Sequence, residues 1–181
     1  MATMKEKYLE AVPKLKEELK LSNVNAVPKL EKVTLNVGLG KGLKDKAYTE
    51  TVEKTLEQIT GQKPVFTKAR KSIATFKIRE GMPVGIKVTL RGPRMYDFIE
   101  KLVNVTFPRI RDFRGIELKS VDSGGNFNFG FKEHIAFPEV SAVDVDKLHG
   151  LQVTITTTAQ SKAEGEALFK ALGFPFKKIQ N

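Results

Sequence analysis

The chain has no cysteine in 181 residues, which excludes disulfides and thiolate metal sites. Its two histidines, His134 and His149, are too few and too far apart to suggest a metal site. Both read as surface or packing residues. No run approaches the roughly 18 apolar residues of a membrane-spanning helix, so no membrane partner is expected. The opening MATMKEKYLE lacks an apolar secretory segment, and the expected location is the cytoplasm. Nothing groups Ser, His and Asp, or spaces ligands for a metal, so neither catalysis nor a cofactor is expected. Asp144 and Asp146 have the spacing of paired carboxylates. With no base or pocket signal beside them, they read as part of an acidic, turn-rich loop, FPEVSAVDVDKLHG.

Acid is scarce where base is abundant. The net charge is +10, and it is not spread evenly. Residues 1–59 carry 11 basic and 9 acidic side chains, residues 60–119 carry 14 and 5, and residues 120–181 carry 6 and 7. A solvated face usually mixes both signs. Excess of one sign in the middle third points to a polyanion, most often nucleic acid. The densest stretch, TGQKPVFTKARKSIATFKIREG (Thr60–Gly81), holds Lys63, Lys68, Arg70, Lys71, Lys77 and Arg79 against Glu80 alone.

Apolar share (40%) and charged share (29%) are ordinary for a globular chain, and the length fits one domain, residues 1–181. Residues 4–21 read as a helix with a stripe of Tyr8, Leu9, Val12, Leu15 and Leu19, which Pro13 should kink or restart. LEKVTLNVG alternates as a half-buried strand. Asp45 should cap a helix over 46–60 with Tyr48, Val52, Leu56 and Ile59 inward and Gly61 as its stop. GIKVTLRG, GNFNFGFKE and LQVTITTTA repeat the strand pattern. RGPRMYDFIEKLVN and SKAEGEALFKALGFP are helices, the first opened by Pro93, the second by a Ser161–Glu164 capping box. VDSGGN reads as a flexible loop.

The expected fold is α+β: a mostly antiparallel sheet with helices packed on one face, the other face open, and a protruding basic hairpin at about 68–85. The open face would carry Lys32, Thr34, Asn36, Lys87, Thr89, Arg91, Asn126 and Thr154, with no carboxylate among them. A one-sided sheet normally shows water a polar face; four strands without acid favour a phosphate- or sugar-binding surface. In the hairpin, the loop KARKS can line cations along a phosphate backbone. Phe66 and Phe76 are expected in the core rather than stacked on bases. REGMPVG is the expected tip, with Met82 exposed.

GLGKG (Gly38, Gly40, Gly42) invites a nucleotide reading. It fails the Walker pattern, because Gly42 follows Lys41, and it fails G-x-G-x-x-G at Leu43. Close approach to an RNA phosphate suits its glycines better. An enzyme using GLGKG, and a general nucleic-acid chaperone or DNA-binding protein, stand as the rivals to an RNA-binding protein. Saturable nucleotide binding would mark the first, and equal affinity for DNA and RNA duplexes the second.

LEKVTLNVGLG, ITGQKPVFTKARKSIATFKIREGMPVGIKVTLRG, FPRIRDFRG and GLQVTITTTAQSKAEGEALFKALGFPF together resemble a family: the bacterial large-subunit ribosomal protein that is fifth in the large-subunit series and binds 5S rRNA. The resemblance covers almost the whole chain. It implies a structural, non-enzymatic ribosome constituent in the central protuberance. The implied partners are 5S rRNA, neighbouring 23S rRNA, peptidyl-site tRNA, a small-subunit head protein and other central-protuberance proteins. It implies 5S rRNA contacts at Asn36, Gln62 and Thr89. With the open face and the glycine loop, the expected rRNA-binding set is Lys32, Thr34, Asn36, Gly38, Gln62, Lys63, Lys87, Thr89 and Arg91. The hairpin is implied to face tRNA through Arg70, Lys71, Ser72, Lys77, Arg79 and Met82. Loops at about 108–146 are implied to lie toward the intersubunit bridge, with Arg109, Arg111, Arg114, Glu139 and Asp144 as candidates.

Overall fold

A computed structural model describes residues 3–40, 45–140 and 148–177. The order is α1 (Met4–Glu18), β1 (Leu30–Gly38), α2 (Lys46–Thr60), β2 (Val65–Lys68), β3 (Pro83–Leu90), α3 (Pro93–Lys101), β4 (Phe127–Phe131), β5 (Leu151–Thr157) and α4 (Lys162–Ala171). The strands form one antiparallel sheet in the order β2-β3-β1-β5-β4, so the fold is the expected α+β. The two-residue period decides which side chains go inside. Val33, Leu35 and Val37 of β1, Ile86, Val88 and Leu90 of β3, and Leu151, Val153 and Ile155 of β5 are all buried. Most of the side chains between them are half-buried or exposed.

By compactness the chain falls into two units. The first comprises Met1–Val33, Leu90–Phe129 and Thr154–Asn181. Within it α1 packs against α3 and α4. Thr3 opens α1 with a capping box: its hydroxyl accepts from the Glu6 N–H, and Glu6 Oε2 accepts from the Thr3 N–H at 2.7 Å. Pro13 does not restart the helix; α1 runs as one element from Met4 to Glu18 with Pro13 inside it. The lost bond to the Leu9 carbonyl falls on the exposed side, since Leu9 is 58% exposed and Pro13 is exposed too. The buried stripe is Met4, Ala11 and Leu15 rather than one that includes Leu9.

Helix α3 opens at Pro93, and Met95, Phe98, Ile99 and Leu102 are buried as its spacing predicts. Its continuation is not plain α-helix. Residues Leu102–Thr106 form a π-helical turn, with the Phe107 N–H donating to the Leu102 carbonyl. Pro108 follows at once; its ring has no N–H to donate and would clash with the carbonyl four residues back in a regular α-helix. The widened turn sets Phe107 in an aromatic cluster. It stacks on Phe113 at 5.6 Å and meets Phe129 edge-on at 5.3 Å, while Phe127 lies 5.3 Å from Phe169 and 5.1 Å from Phe174.

VDSGGN is no flexible loop. Asp122 Oδ1 accepts from the backbone N–H groups of Gly124 (3.0 Å) and Asn126 (2.8 Å). Asn126 Oδ1 accepts from the Thr157 N–H at 3.0 Å, and the Thr157 hydroxyl donates to the Gly125 carbonyl at 2.9 Å. Short polar side chains here satisfy the turn's own backbone. Gly125 is needed here twice over, for its left-handed φ of 75° and for the close packing of its Cα against Ala159 and Ser161.

The second unit comprises Thr34–Thr89 and Gly130–Val153. Helix α2 has the predicted bounds. Asp45 accepts from the Ala47 and Tyr48 N–H groups, and Gly61, at φ 63°, donates to the Glu57 carbonyl at 2.7 Å to end it. His134 and His149 are both buried, with rings stacked at 4.1 Å. Of the two readings offered for them, packing is right and surface is not.

All three tyrosines are perturbed in one direction. Burial raises the Tyr8 phenol above the ordinary 10.0, and nearby Tyr96 adds to the rise. Burial also raises Tyr96 and Tyr48. A phenol that ionises later in the folded chain binds more protons there than in the unfolded one. The stabilisation is therefore complete below about pH 10, the unfolded value, and is lost as pH climbs through the folded values. Phenolate absorbance is expected to rise at higher pH in the native protein than in urea, with the unfolding midpoint falling above that pH. Coincident native and unfolded titrations would overturn the assignment.

Candidate nucleic-acid interface

In the second unit the outward positions of β1 and β3 bring together Thr34, Asn36, Gly38, Lys87 and Thr89. Asn36, Gly38 and Lys87 are exposed, and Thr34 and Thr89 are half-buried. Strand β2 adds to this face. Its register with β3 sets Val65 opposite Lys87 and Thr67 opposite Gly85. Residues directly opposite in an antiparallel pair project from the same side, so Val65 and Thr67 stand with Lys87. Phe66, opposite Ile86, points to the core side and is half-buried.

The turn after α2 delivers two more expected residues. Gln62 is held by its side-chain amide, which donates to the Thr89 carbonyl at 3.2 Å. This joins two family-implied contacts, Gln62 and Thr89, across 27 positions of sequence. Lys63 follows and is exposed. Neither the Asn36 amide nor the Thr89 hydroxyl is hydrogen-bonded among the described residues. These strand and turn positions hold donors, hydroxyls and cations, with no carboxylate among them.

Between β2 and β3 the chain makes a 69–82 excursion with an architecture the sequence did not reveal. Ile73 and Ile78 exchange backbone hydrogen bonds at 2.9 and 3.2 Å. The turn they close is Ala74–Lys77, with Lys77 in the left-handed region at φ 55°. This turn is the tip, and REGMPVG is not. Gly81 and Met82 return to Ala69 through backbone bonds, and Met82 is half-buried, its sulfur accepting from the Arg79 N–H. Phe76 is not core: at the tip it is 65% exposed. A two-residue bridge leaves no interior for it to enter. Ser72 accepts from the Glu80 N–H at 2.9 Å and braces the base of this loop. Arg70, Lys71, Lys77 and Arg79 are exposed and pair with no carboxylate among the described residues.

In the first unit, Lys32 and Arg91 do not stand on an acid-free face as expected. Glu31 Oε1 lies 3.9 Å from both Lys32 Nζ and Arg91 Nη1. The alternation of β1 slips there: Glu31 is exposed and Lys32 half-buried before Val33 turns in. An unbroken two-residue period would assign Glu31 to the buried side. At this distance and exposure the pairs are loose and screened by salt, but they lower the positive potential of that end. In the same unit Asn128 Oδ1 accepts from the Thr154 hydroxyl at 2.8 Å, which ties one polar atom of each to the other.

Arg109, Arg111 and Arg114 are exposed on the segment after α3, anchored by Phe113 against Phe107. Arg111 is 4.0 Å from Asp112 with both side chains almost wholly in solvent. Glu139 is exposed in the second unit. Asp144 and Asp146 lie outside the described residues, as do Lys41 and Gly42 of GLGKG.

Sequence reasoning missed Val65, Thr67, Gly85 and Glu31. The alternation in VFTK was visible, but nothing local says whether Val65 or Phe66 faces the core; pairing with β3 decides it. Two family models match the chain. Residues 23–79 match the model described as ribosomal protein L5, and residues 83–176 match the model of that ribosomal family's C-terminus.

Proposed function

The chain belongs to the ribosomal protein L5 family, and from that membership we propose that the outward face of β1 and β3 binds 5S rRNA and helps attach it in the central protuberance. Proteins of this family are structural constituents of the large ribosomal subunit in the cytoplasm, and the family is not one of enzymes. One observation carries the finer reading. Asn36, Gln62, Lys63, Lys87 and Thr89 converge on a face whose strand and turn positions hold no acid. Cations there neutralise phosphate, while the amide and hydroxyl groups match 2′-hydroxyls and base edges. The basic 69–82 excursion, which leaves the sheet between β2 and β3, is assigned to peptidyl-site tRNA. The arginine segment 109–114 and Glu139 are assigned to the side facing the small-subunit head protein.

The test separates face from excursion. Asn36→Ala and Thr89→Ala are each expected to weaken 5S rRNA binding by about 1–3 kcal/mol, the scale for losing a partnered polar group. Lys71→Ala should leave that affinity nearly unchanged and disturb tRNA placement in assembled ribosomes. Undiminished affinity in both folded face variants at fixed salt, or a large loss from Lys71→Ala, would overturn the assignment.

A further inference from the structure

We propose that Val65, Thr67 and Gly85 form, with Asn36 and Lys87, a subsite for one unstacked ribonucleotide at the β2 side of this face. The inference rests on the RNA-binding reading above and adds three residues to it. Thr67 and Gly85 are register partners, and Gly85 is buried although it lies on the outward side. The reason is overhead. A Cβ at position 85 would sit 2.7 Å from Thr67 Oγ1, 3.2 Å from the Val37 carbonyl oxygen and 3.9 Å from Asn36 Oδ1. The missing side chain is what lets a hydroxyl and an amide close over the β3 backbone from either side. Gly85 has no left-handed φ to explain it, so the glycine serves close approach rather than backbone freedom. The register also shifts between Thr67 and Lys68. Such an irregularity re-aims side chains on the strand that carries it.

The chemistry of the cluster is specific. Thr67 Oγ1 both donates and accepts, and with Asn36 it can hold a ribose 2′-hydroxyl, the group that separates RNA from DNA. Val65, 60% exposed, stands directly opposite Lys87. An apolar surface beside a cation fits a ribose or base face next to its own phosphate. A continuous duplex offers no base face to Val65; an unpaired nucleotide does. Thr67 and Val65 would touch RNA, and Gly85 is a positioning residue that acts through Thr67 and Asn36.

The experiment measures binding of the full chain to a 5S rRNA transcript at fixed salt, with folding checked by thermal unfolding. Thr67→Val and Gly85→Ala are each expected to lower affinity by about tenfold, as for loss of one polar contact. Val65→Ser should lower it a few-fold. Replacing the unpaired segments of the RNA by 2′-deoxynucleotides should weaken the wild type, yet add nothing to the loss in Thr67→Val. The double variant Gly85→Ala/Thr67→Ala should bind no worse than Thr67→Ala alone, because the atom nearest the new methyl is gone; a merely structural role for Gly85 predicts additive losses. Should Gly85→Ala fail to fold, Thr67→Val, a near-isosteric change, decides alone. Wild-type affinity in Thr67→Val, with Asn36→Ala and Lys87→Ala still defective, overturns the subsite and leaves the RNA face standing. Wild-type affinity in all of them overturns both.

Discussion

Gly125→Ala is expected to destabilise the protein by about 3–5 kcal/mol, combining a left-handed backbone imposed on a residue with a Cβ and a steric overlap in a packed region. Gly125 sits at φ 75°, and its new Cβ would lie 2.5 Å from Ala159 Cβ and 2.8 Å from the Ser161 carbonyl oxygen. Neither neighbour gives way cheaply: one is the stub of a side chain on backbone, the other is backbone at the cap of α4. The hydrogen-bonded turn from Asp122 to Asn126 would have to open, breaking its bonds to Thr157. Gly165→Ala should do nearly the same damage from the other side, since its Cβ would meet Gly125 Cα and the Gly125 carbonyl oxygen at 2.5 Å. The measurement is urea unfolding, with a lower midpoint and unchanged slope. The two substitutions should be non-additive, because either alone separates the same two backbones. A midpoint within error of wild type for either would show that the contact between these glycines is not what holds the turn to α4.

The second large effect is electrostatic. If Lys32, Lys63, Lys87 and Arg91 each displace a counterion from RNA phosphate, the logarithm of the 5S rRNA affinity should fall with the logarithm of salt at a slope of about −3, which is about sixtyfold between about 50 and 200 mM. Lys87→Ala should flatten the slope by nearly one. Glu31→Gln should steepen it and raise affinity at low salt, because Glu31 lies 3.9 Å from both Lys32 and Arg91 and offsets part of their charge. A slope near zero would remove phosphate contact from the account. No response to Glu31→Gln would mean Lys32 and Arg91 stand outside the bound RNA.

Much of the fold is legible in the sequence because local rules and tertiary outcome agree. Asp45, the Tyr48–Ile59 stripe and Gly61 define α2 within one sequence window, and each does what its residue type favours. Strand alternation in β1, β3 and β5 likewise needs no partner to be read, and it puts Asn36, Lys87 and Thr89 on the outward side. The failures share a cause. A restart at Pro13 is what an isolated helix would favour, whereas α1 packed against α3 and α4 continues through one absent bond on its exposed side. Aromaticity suggests a core position for Phe76, and no core exists where the chain turns back on itself between Ile73 and Ile78. Composition makes Asp122 to Asn126 a loose loop, while its order comes from the bonds of Asp122 to the turn's own backbone together with those of Thr157, remote in sequence.

Composition and period alone determined an α+β chain with its positive charge gathered in the middle third and with amide, hydroxyl and cationic groups on the outer side of its strands, because charge and alternation are local quantities. Which strand face Val65 and Thr67 join, what Gly85 and Gly165 are for, and where Glu31 spends its charge were decided only by tertiary structure. In a helix viewed by itself, alanine at 165 would be preferred to glycine by about 1 kcal/mol. The Gly125 backbone pressed against it reverses the sign, since two atoms from distant parts of the chain cannot share one place.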